Sequence, residues 1–323
     1  MSIFSKDKNI RLYYASDIHG SQKCFNKFIN AGKFYSADVI ILGGDITGKS
    51  VVHIEKSGNG NWKCNFMGSE NTFSTSGELE SFKKTVQTAG FYPYESSFEE
   101  WNELKSDEIA MENIFVQLIR SSLEAWLDFA DRKLKDTSIQ CFVMPGNDDP
   151  LIVSQMLEQS RRIINPENKV VHLDDHLTMV SCGFSNPTPW DSPRECTEST
   201  LAEMIDHMML EVSDPQKCIL NAHVPPFNST LDEAPKLSST LQVQSSGGVI
   251  QTAPVGSTAI MEAIKKYQYV LSLHGHIHEV HAIKRIGRTL SINPGSEYGD
   301  GVLHGALLNL SKDRVVNYQL VAG

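Results

Sequence analysis

The 323-residue sequence has no C-x-x-C pair, no apolar run long enough to cross a bilayer, no surplus of basic residues and no low-complexity tract or internal repeat. Each lack excludes something. The six cysteines (Cys24, Cys64, Cys141, Cys182, Cys196 and Cys218) are scattered, so a disulfide framework is not expected. Cys141, Cys182 and Cys218 fall in apolar runs, where a free thiol behaves as a small hydrophobe. A spanning helix needs about 20 apolar residues, and without one no membrane partner is expected. A formal net charge of −10 argues against a general nucleic-acid or anionic-membrane binder. It leaves room for a small phosphate-bearing substrate, because local charge can overturn the global field. The first residues lack the basic, apolar and small-residue succession of a signal peptide, so the cytoplasm is the expected compartment. Oligomeric state is not legible.

What is present is a soluble globular composition, 40% hydrophobic and 21% charged. Short β-rich runs recur, among them "IRLYYAS", "DVIILGG", "IQCFVMPG", "LTMVSCGF", "KCILNAHV", "YQYVLSLHG", "RTLSINPG", "GALLNL" and "RVVNYQLV". Most end in Gly, Pro or polar turns, as buried strands do. Helical spacing lies between them: Phe25, Phe28 and Ile29 share a face, with Gly32 as the expected stop, and "GSTAIMEAIKKY" begins at a capping Ser257 or Thr258. Strand alternating with helix predicts an α/β domain spanning residues 1–323.

Residues 49–135 break the rhythm and read as an insertion or cap. They hold a hairpin turning at residues 58–61, then a mainly helical stretch over 98–134. Aromatic residues here (Trp62, Phe66, Phe73, Tyr92, Tyr94 and Trp101) are expected to pack. Residues 228–256 form a second long Ser/Pro/Gly-rich stretch, of the kind that often faces a substrate.

Chemistry concentrates at strand ends. "LGGDITGKS" (residues 42–50) matches the P-loop pattern G-x-x-x-x-G-K-[ST]. A P-loop runs into a helix whose N-terminus binds phosphate. The "VVHIEK" that follows is β-branched, so the stretch reads instead as a bend presenting Asp45, with Lys49 a solvated lysine. Other runs end in "SDIHG" (Asp17, His19), "PGNDD" (Asn147), "NAHVPP" (His223) and "HGHIH" (His276, His278). Loops at the carboxyl ends of strands can converge on one pocket. Carboxylate, neutral imidazole and amide oxygen together suit manganese, iron, zinc, cobalt or nickel.

In this order the motifs resemble those of the calcineurin-like metallophosphoesterase superfamily: D-x-H, G-D, G-N-H-[DE], H and G-H-x-H. "INPGSEYGDG" is similar to a turn of its small prokaryotic-type phosphodiesterases. The resemblance implies two packed β-sheets flanked by helices, a four-layer sandwich, and two divalent metal ions, manganese foremost. Asp17, His19 and His278 would hold one ion, Asn147, His223 and His276 the other, and Asp45 would bridge them. It further implies hydrolysis of a small phosphate ester, a diester before a monoester, by in-line attack of a hydroxide activated between the ions. The imidazoles must be neutral to bind, so activity should fall at low pH.

One position departs from the pattern. Asp148 stands where the superfamily usually has a histidine that assists the leaving group. An aspartic acid, with an ordinary pKa of about 3.9, is a poor proton donor at neutral pH. It therefore reads as an oriented hydrogen-bond acceptor beside the ligands, or a weak acid. A protein phosphatase and a non-catalytic interaction scaffold on the same fold are the alternative readings. The filled ligand positions favour an enzyme. His274 is either a support to the ligands or a satisfied strand-end histidine, and His53, His281 and His304 have no motif context.

Overall fold

The computed structural model describes residues 9–57 and 60–323. The chain runs through β1 (Ile10–Ala15), α1 (Gln22–Phe34), β2 (Val39–Gly43), β3 (Val51–Lys56), β4 (Trp62–Phe66), β5 (Ser69–Phe73), α2 (Ser76–Thr88), β6 (Tyr92–Ser96) and α3 (Phe98–Ser106). There follow α4 (Glu108–Leu134), β7 (Gln140–Met144), α5 (Ile152–Leu157), β8 (Ile163–Ile164), β9 (Val170–His172), β10 (Thr178–Cys182), α6 (Glu198–Met209) and β11 (Cys218–Ala222). The last part contains β12 (Glu233–Pro235), β13 (Ser245–Ser246), β14 (Val249–Ile250), β15 (Thr252–Pro254), α7 (Thr258–Tyr267), β16 (Leu271–Leu273), β17 (Ala282–Ile286), β18 (Thr289–Asn293), β19 (His304–Leu310) and β20 (Val315–Ala322).

Two six-stranded sheets form the body, in the orders β20-β19-β1-β2-β7-β8 and β17-β18-β16-β11-β10-β9. Strand periodicity decides how they pack. In β1, Leu12 and Tyr14 face the second sheet, meeting Met179, Ile219, Leu271 and Ile292. Tyr13 and Ala15 point the other way, against Phe25 and Phe28 of α1 and Trp126 of α4. On the second sheet, Val180, Leu220 and Ala222 turn outward to Leu201 and Ile205 of α6 and to Ile260 and Ile264 of α7. The result is helices, sheet, sheet, helices, the expected four-layer sandwich. Runs such as "VIILG" read as continuously apolar because both faces of the strand are buried.

Strands β1, β2 and β7 are mutually parallel, as are β10, β11, β16 and β18. Their carboxyl ends open on one rim. A smaller sheet, β5-β4-β3-β6, stands beside the body, with its own core of Val52, Ile54, Cys64, Leu79 and Val86. Trp62, Phe66 and Phe73 pack on that core, and Trp101 stacks on His53. Strand β3 starts one residue after Ser50, where a P-loop would require a helix. Of the expected hairpin turn at 58–61, Gly58 and Asn59 lie outside the described residues; the flanking strands β3 and β4 pair antiparallel.

Helix α1 does not stop at Gly32 but continues to Phe34. Gly32 lies against the core instead: a Cβ there would come within 2.9 Å of the Ile139 side chain. All six cysteines are free thiols, five of them buried. No described helix is long and apolar enough to cross a membrane.

Candidate metal centre

Each of the rim loops begins where a central strand runs out, and the turn geometry aims its side chains inward. Asp17, His19, Asp45 and His276 all have positive φ, of 55°, 36°, 49° and 68°. Non-glycine residues rarely adopt this conformation, and such strain collects at functional sites. The loops lace together to hold it. Asp17 N–H donates to Gly44 O at 3.0 Å and His19 N–H to Asp45 O at 2.9 Å, joining the loops after β1 and β2. The backbone N–H of His276 donates to both carboxylate oxygens of Asp17, at 3.1 and 3.0 Å, joining the two sheets. The turn after β18 completes the clamp: Ser296 Oγ donates to Asp17 O at 2.6 Å, and Asn293 Nδ2 reaches the carbonyls of Leu231, Gly275 and Ile277.

The structure brings the sequence-nominated residues together. Asp17, His19 and His278 form one group whose ligating atoms lie within 4.8 Å of one another, and Asp45, His223 and His276 form a second. Asp45 sits between them, its Oδ2 3.6 Å from His19 Nε2 and 3.4 Å from His223 Nε2. His19 Nε2 and His278 Nε2 face each other at 2.9 Å. Asn147 is buried beside this pair of groups. Its Nδ2 donates to Asp148 Oδ1 and Ser192 Oγ, which leaves the buried Oδ1 without a partner.

That orphaned oxygen, and the equally orphaned Nε2 of His223, test whether the residues fit a metal. Buried polar atoms without partners are rare, and each asks for an explanation. His223 Nδ1 lies 2.9 Å from the Gly43 carbonyl, which can only accept, so Nδ1 keeps its proton and Nε2, facing the carboxylates, is the nitrogen open to a proton or a cation. A proton held on the far nitrogen in this way is how metal-binding imidazoles are oriented.

Electrostatics point the same way. Burial opposes ionisation of Asp17, yet His223 and His278 hold its carboxyl well below the usual range. Asp45 is likewise depressed against burial, by His223, His19 and His276. Against its own burial, His223 is pushed up to about 10 by Asp45 and Asp17. Burial and His223 push His276 down to about 4, and burial keeps His19 well below the ordinary histidine value. Two buried carboxylates thus demand positive charge, and among the described residues imidazoles lie against them. Two carboxylates, four imidazoles and an amide oxygen are a donor set suited to divalent cations.

Several neighbours were not legible as site residues. Asp149 is fully buried and accepts from Ile46 N–H, Thr47 N–H, Thr47 Oγ1 and Gly146 N–H, fastening the loops after β2 and β7 together. Burial and Asp45 push its carboxyl up to about 6. Tyr298 lays its ring 4.7 Å from that of His19. Lys49, expected to be merely solvated, forms an ion pair at 2.9 Å with Asp148 Oδ2. Its four-carbon stem spans a gap that sequence spacing cannot reveal. Asp148 is a hydrogen-bond acceptor here, taking Asn147 Nδ2 and Ser192 Oγ on Oδ1. His274 is a satisfied strand-end histidine, its Nδ1 facing the carbonyls of Ala222 and Val224 on either side of His223.

The four-layer α/β fold and the clustered Asp and His groups are consistent with the calcineurin-like metallophosphoesterase superfamily, which the chain resembles. No family model matches the sequence. It is 28% identical over 158 residues to an uncharacterized protein of Methanocaldococcus jannaschii, covering 48% of this chain and 64% of that one. It is 22% identical over 157 residues to UDP-2,3-diacylglucosamine hydrolase of Proteus mirabilis, covering 48% and 60%. The matches span less than two thirds of either relative's length. One crystal structure superposes with a TM-score of 0.56 at 13% identity, over 97% of this chain and 99% of its own. Another, from Thermus thermophilus, gives 0.50 at 12%, over 98% and 99%. These two likenesses establish the fold.

Proposed function

We propose that the protein is a dinuclear metal-dependent phosphoesterase that hydrolyses a small phosphodiester. The observation that carries this reading is the convergence of five strand-end loops on two adjoining ligand groups, with Asn147 Oδ1 and His223 Nε2 buried and unpartnered between them. Asp17, His19 and His278 would hold one cation, Asn147, His223 and His276 the other, and Asp45 both. Divalent cations, manganese first among them, would supply positive charge to a phosphoryl group and lower the pKa of a water to near neutrality. The chain's own part is to preorganise. Carboxylates and imidazoles are fixed by backbone bonds before substrate arrives, so little reorganisation is left for the reaction itself. Asp148, occupied on both oxygens, orients Asn147 and Lys49 rather than donating a proton.

The flanking segments support a shaped entrance. Residue Leu231, at the base of the 228–256 stretch, packs on Ile277 and Val280 around the loop carrying His276 and His278. Tyr92, from β6 in the 49–135 stretch, accepts a hydrogen bond from Gly48 N–H at 2.8 Å. We assign both segments to substrate selection. The test is hydrolysis of bis(p-nitrophenyl) phosphate and p-nitrophenyl phosphate by protein stripped of metal and reloaded with Mn²⁺. Metal-dependent cleavage favouring the diester is expected. Inertness towards both esters with two cations bound would refute the reading.

A further inference from the structure

The loop between β10 and α6, residues 183–197, displays a side chain that neither the core nor the ligand assignment uses. Trp190 is 65% exposed and joins none of the apolar clusters among the described residues. The other three tryptophans are engaged. Trp126 stacks on Phe25, Trp101 stacks on His53, and Trp62 packs on the core of the small sheet. A single exposed apolar side chain is ordinary on a surface. Trp190 differs in how firmly its backbone is held and in what holds it.

The loop closes at its base, where Ser185 N–H donates to Arg194 O at 3.1 Å and Cys196 N–H to Ser185 O at 2.9 Å. Inside it, the Glu195 carboxylate accepts from Thr188 N–H at 2.9 Å and from Ser192 N–H at 2.8 Å. Trp190 N–H itself donates to Thr188 Oγ1 at 3.2 Å. Pro189 and Pro193 stiffen the chain on either side, and Asp191 is kept at a φ of 51°. The same loop is fastened to the metal centre. Ser192 Oγ accepts from Asn147 Nδ2 and donates to Asp148 Oδ1, and Arg194 N–H donates to Asn147 O at 3.1 Å. From Ser192 back to Trp190 the chain spans at most about 7 Å. An indole on a preset base thus stands within reach of one substituent of a phosphate held beside Asn147 and Asp148. Such a side chain offers a large flat face and loses little conformational entropy when it is covered.

We propose that Trp190 is a specificity-determining residue whose indole stacks on a planar ring carried by one ester group of the substrate. The substrate class is then a phosphodiester with an aromatic or heteroaromatic ester group, not one with alkyl groups alone. This rests on the phosphoesterase reading for the reaction but not for the ring contact. Stacking on an aromatic side chain strengthens binding by about tenfold or more and tolerates many rings, because each has a π face.

The experiment compares wild type, Trp190→Ala and Trp190→Phe, all loaded with Mn²⁺. The substrates are the thymidine 5′, phenyl and methyl esters of p-nitrophenyl phosphate. All three release the same p-nitrophenolate, so its own contacts cancel in a ratio. Calorimetric titrations with adenosine 5′-monophosphate and with ribose 5-phosphate, which lacks the base, run beside them. Wild type should favour a ring ester over the methyl ester in kcat/KM by about tenfold, and the nucleotide over the sugar phosphate in affinity by as much. Trp190→Ala should erase most of both preferences, and Trp190→Phe should keep most of them. Preference for the thymidine ester alone would assign the ring to a nucleobase, and preference for both ring esters to aryl groups in general. Wild-type preferences near one would overturn the assignment, as would preferences in Trp190→Ala within about twofold of wild type. An equal loss on all three esters leaves the ratios unmoved, and would mean that Trp190 only props Ser192 and Asn147. Should wild type cleave none of the three, the phosphoesterase reading falls, and the two titrations alone decide the tryptophan.

Discussion

The loops of the sheet containing β1, β2 and β7 bring Asp17, Asp45, Asn147 and Asp148 to the site, with His19 as their one imidazole, whereas the loops after β11 and β16 bring only His223, His276 and His278. One bank is mainly carboxylate and amide, and the other is imidazole. Neither bank alone offers a ligand set for a borderline cation, since the first is mostly hard oxygen and the second has no carboxylate. The site exists only where the two sheets dock. The contacts across the seam are correspondingly direct: His276 N–H on the Asp17 carboxylate and His223 Nδ1 on the Gly43 carbonyl. The sandwich core, in which Leu12, Tyr14 and Ile41 meet Ile219, Leu271 and Ile292, therefore does for the site what no single loop could.

The most severe way to break this pairing is at Asp45, which faces imidazoles from both banks. Asp45→Asn keeps the shape and removes the charge. Hydrolysis should fall by about 10³-fold or more, because a preorganised charge at the reacting centre is lost, with bound metal falling below two per chain. Activity and metal content both near wild type would show that Asp45 joins nothing.

The next test wedges the seam. A Cβ on Gly275 would lie 2.1 Å from Ser16 Oγ and 2.2 Å from Asp17 Oδ2, so Gly275→Ala must drive the loop of His276 away from Asp17. Displacements of about 1 Å cost on the order of 10²-fold in rate, and kcat/KM should fall by that amount while the circular dichroism spectrum stays native. Unimpaired turnover would mean that the banks need not touch.

A change confined to one bank should act on stability instead. Asp149 accepts from three backbone N–H groups and a hydroxyl within the carboxylate bank. Asp149→Ala leaves those donors buried and unmet, a cost of about 3 kcal/mol in urea unfolding, with Asp149→Asn losing less. Equal stability of both variants and wild type would contradict the clamp.

This division also explains how much could be read in advance. Candidate ligand residues at the ends of apolar runs were visible because strand ends advertise themselves, and Asp17, His19, Asp45, His223, His276 and His278 do lie together, with Asn147 buried beside Asp148. The α/β alternation was visible for the same reason, and the four-layer body was what the family resemblance implied. Lys49 and Asp149 were not, since one acts through the reach of a flexible stem and the other through bonds to backbone more than 100 residues away in the chain. Gly32 misled because a glycine that makes room for Ile139 looks the same in sequence as one that ends a helix. Strand β17, "AIKRI", escaped because its adjacent Lys284 and Arg285 suit an edge strand rather than a buried one.

The imidazole bank has a support of its own, and its expected signature is the smallest. His274 is fully buried, with Nδ1 at 2.9 and 3.1 Å from the carbonyls flanking His223. Burial pushes its pKa down to about 4. In the unfolded chain a histidine titrates near 6.5, so as pH falls below that value the unfolded state takes up a proton that the folded state refuses. The contribution is whole above pH 6.5 and is lost progressively as pH falls towards 4, its sign opposite to that of a histidine stabilised by a carboxylate. Between pH 7 and pH 5.5 the loss is about 1 kcal/mol. Other site histidines titrate as well, so the quantity to follow is the difference in urea stability between wild type and His274→Asn, metal-free, at each pH. Asparagine can still donate to the Ala222 carbonyl but cannot be protonated. Wild type should lose about 1 kcal/mol more than the variant over that interval. A difference that stays constant with pH would place His274 outside the buried support of His223 and leave the imidazole bank held by the Gly43 carbonyl and the sheet seam alone.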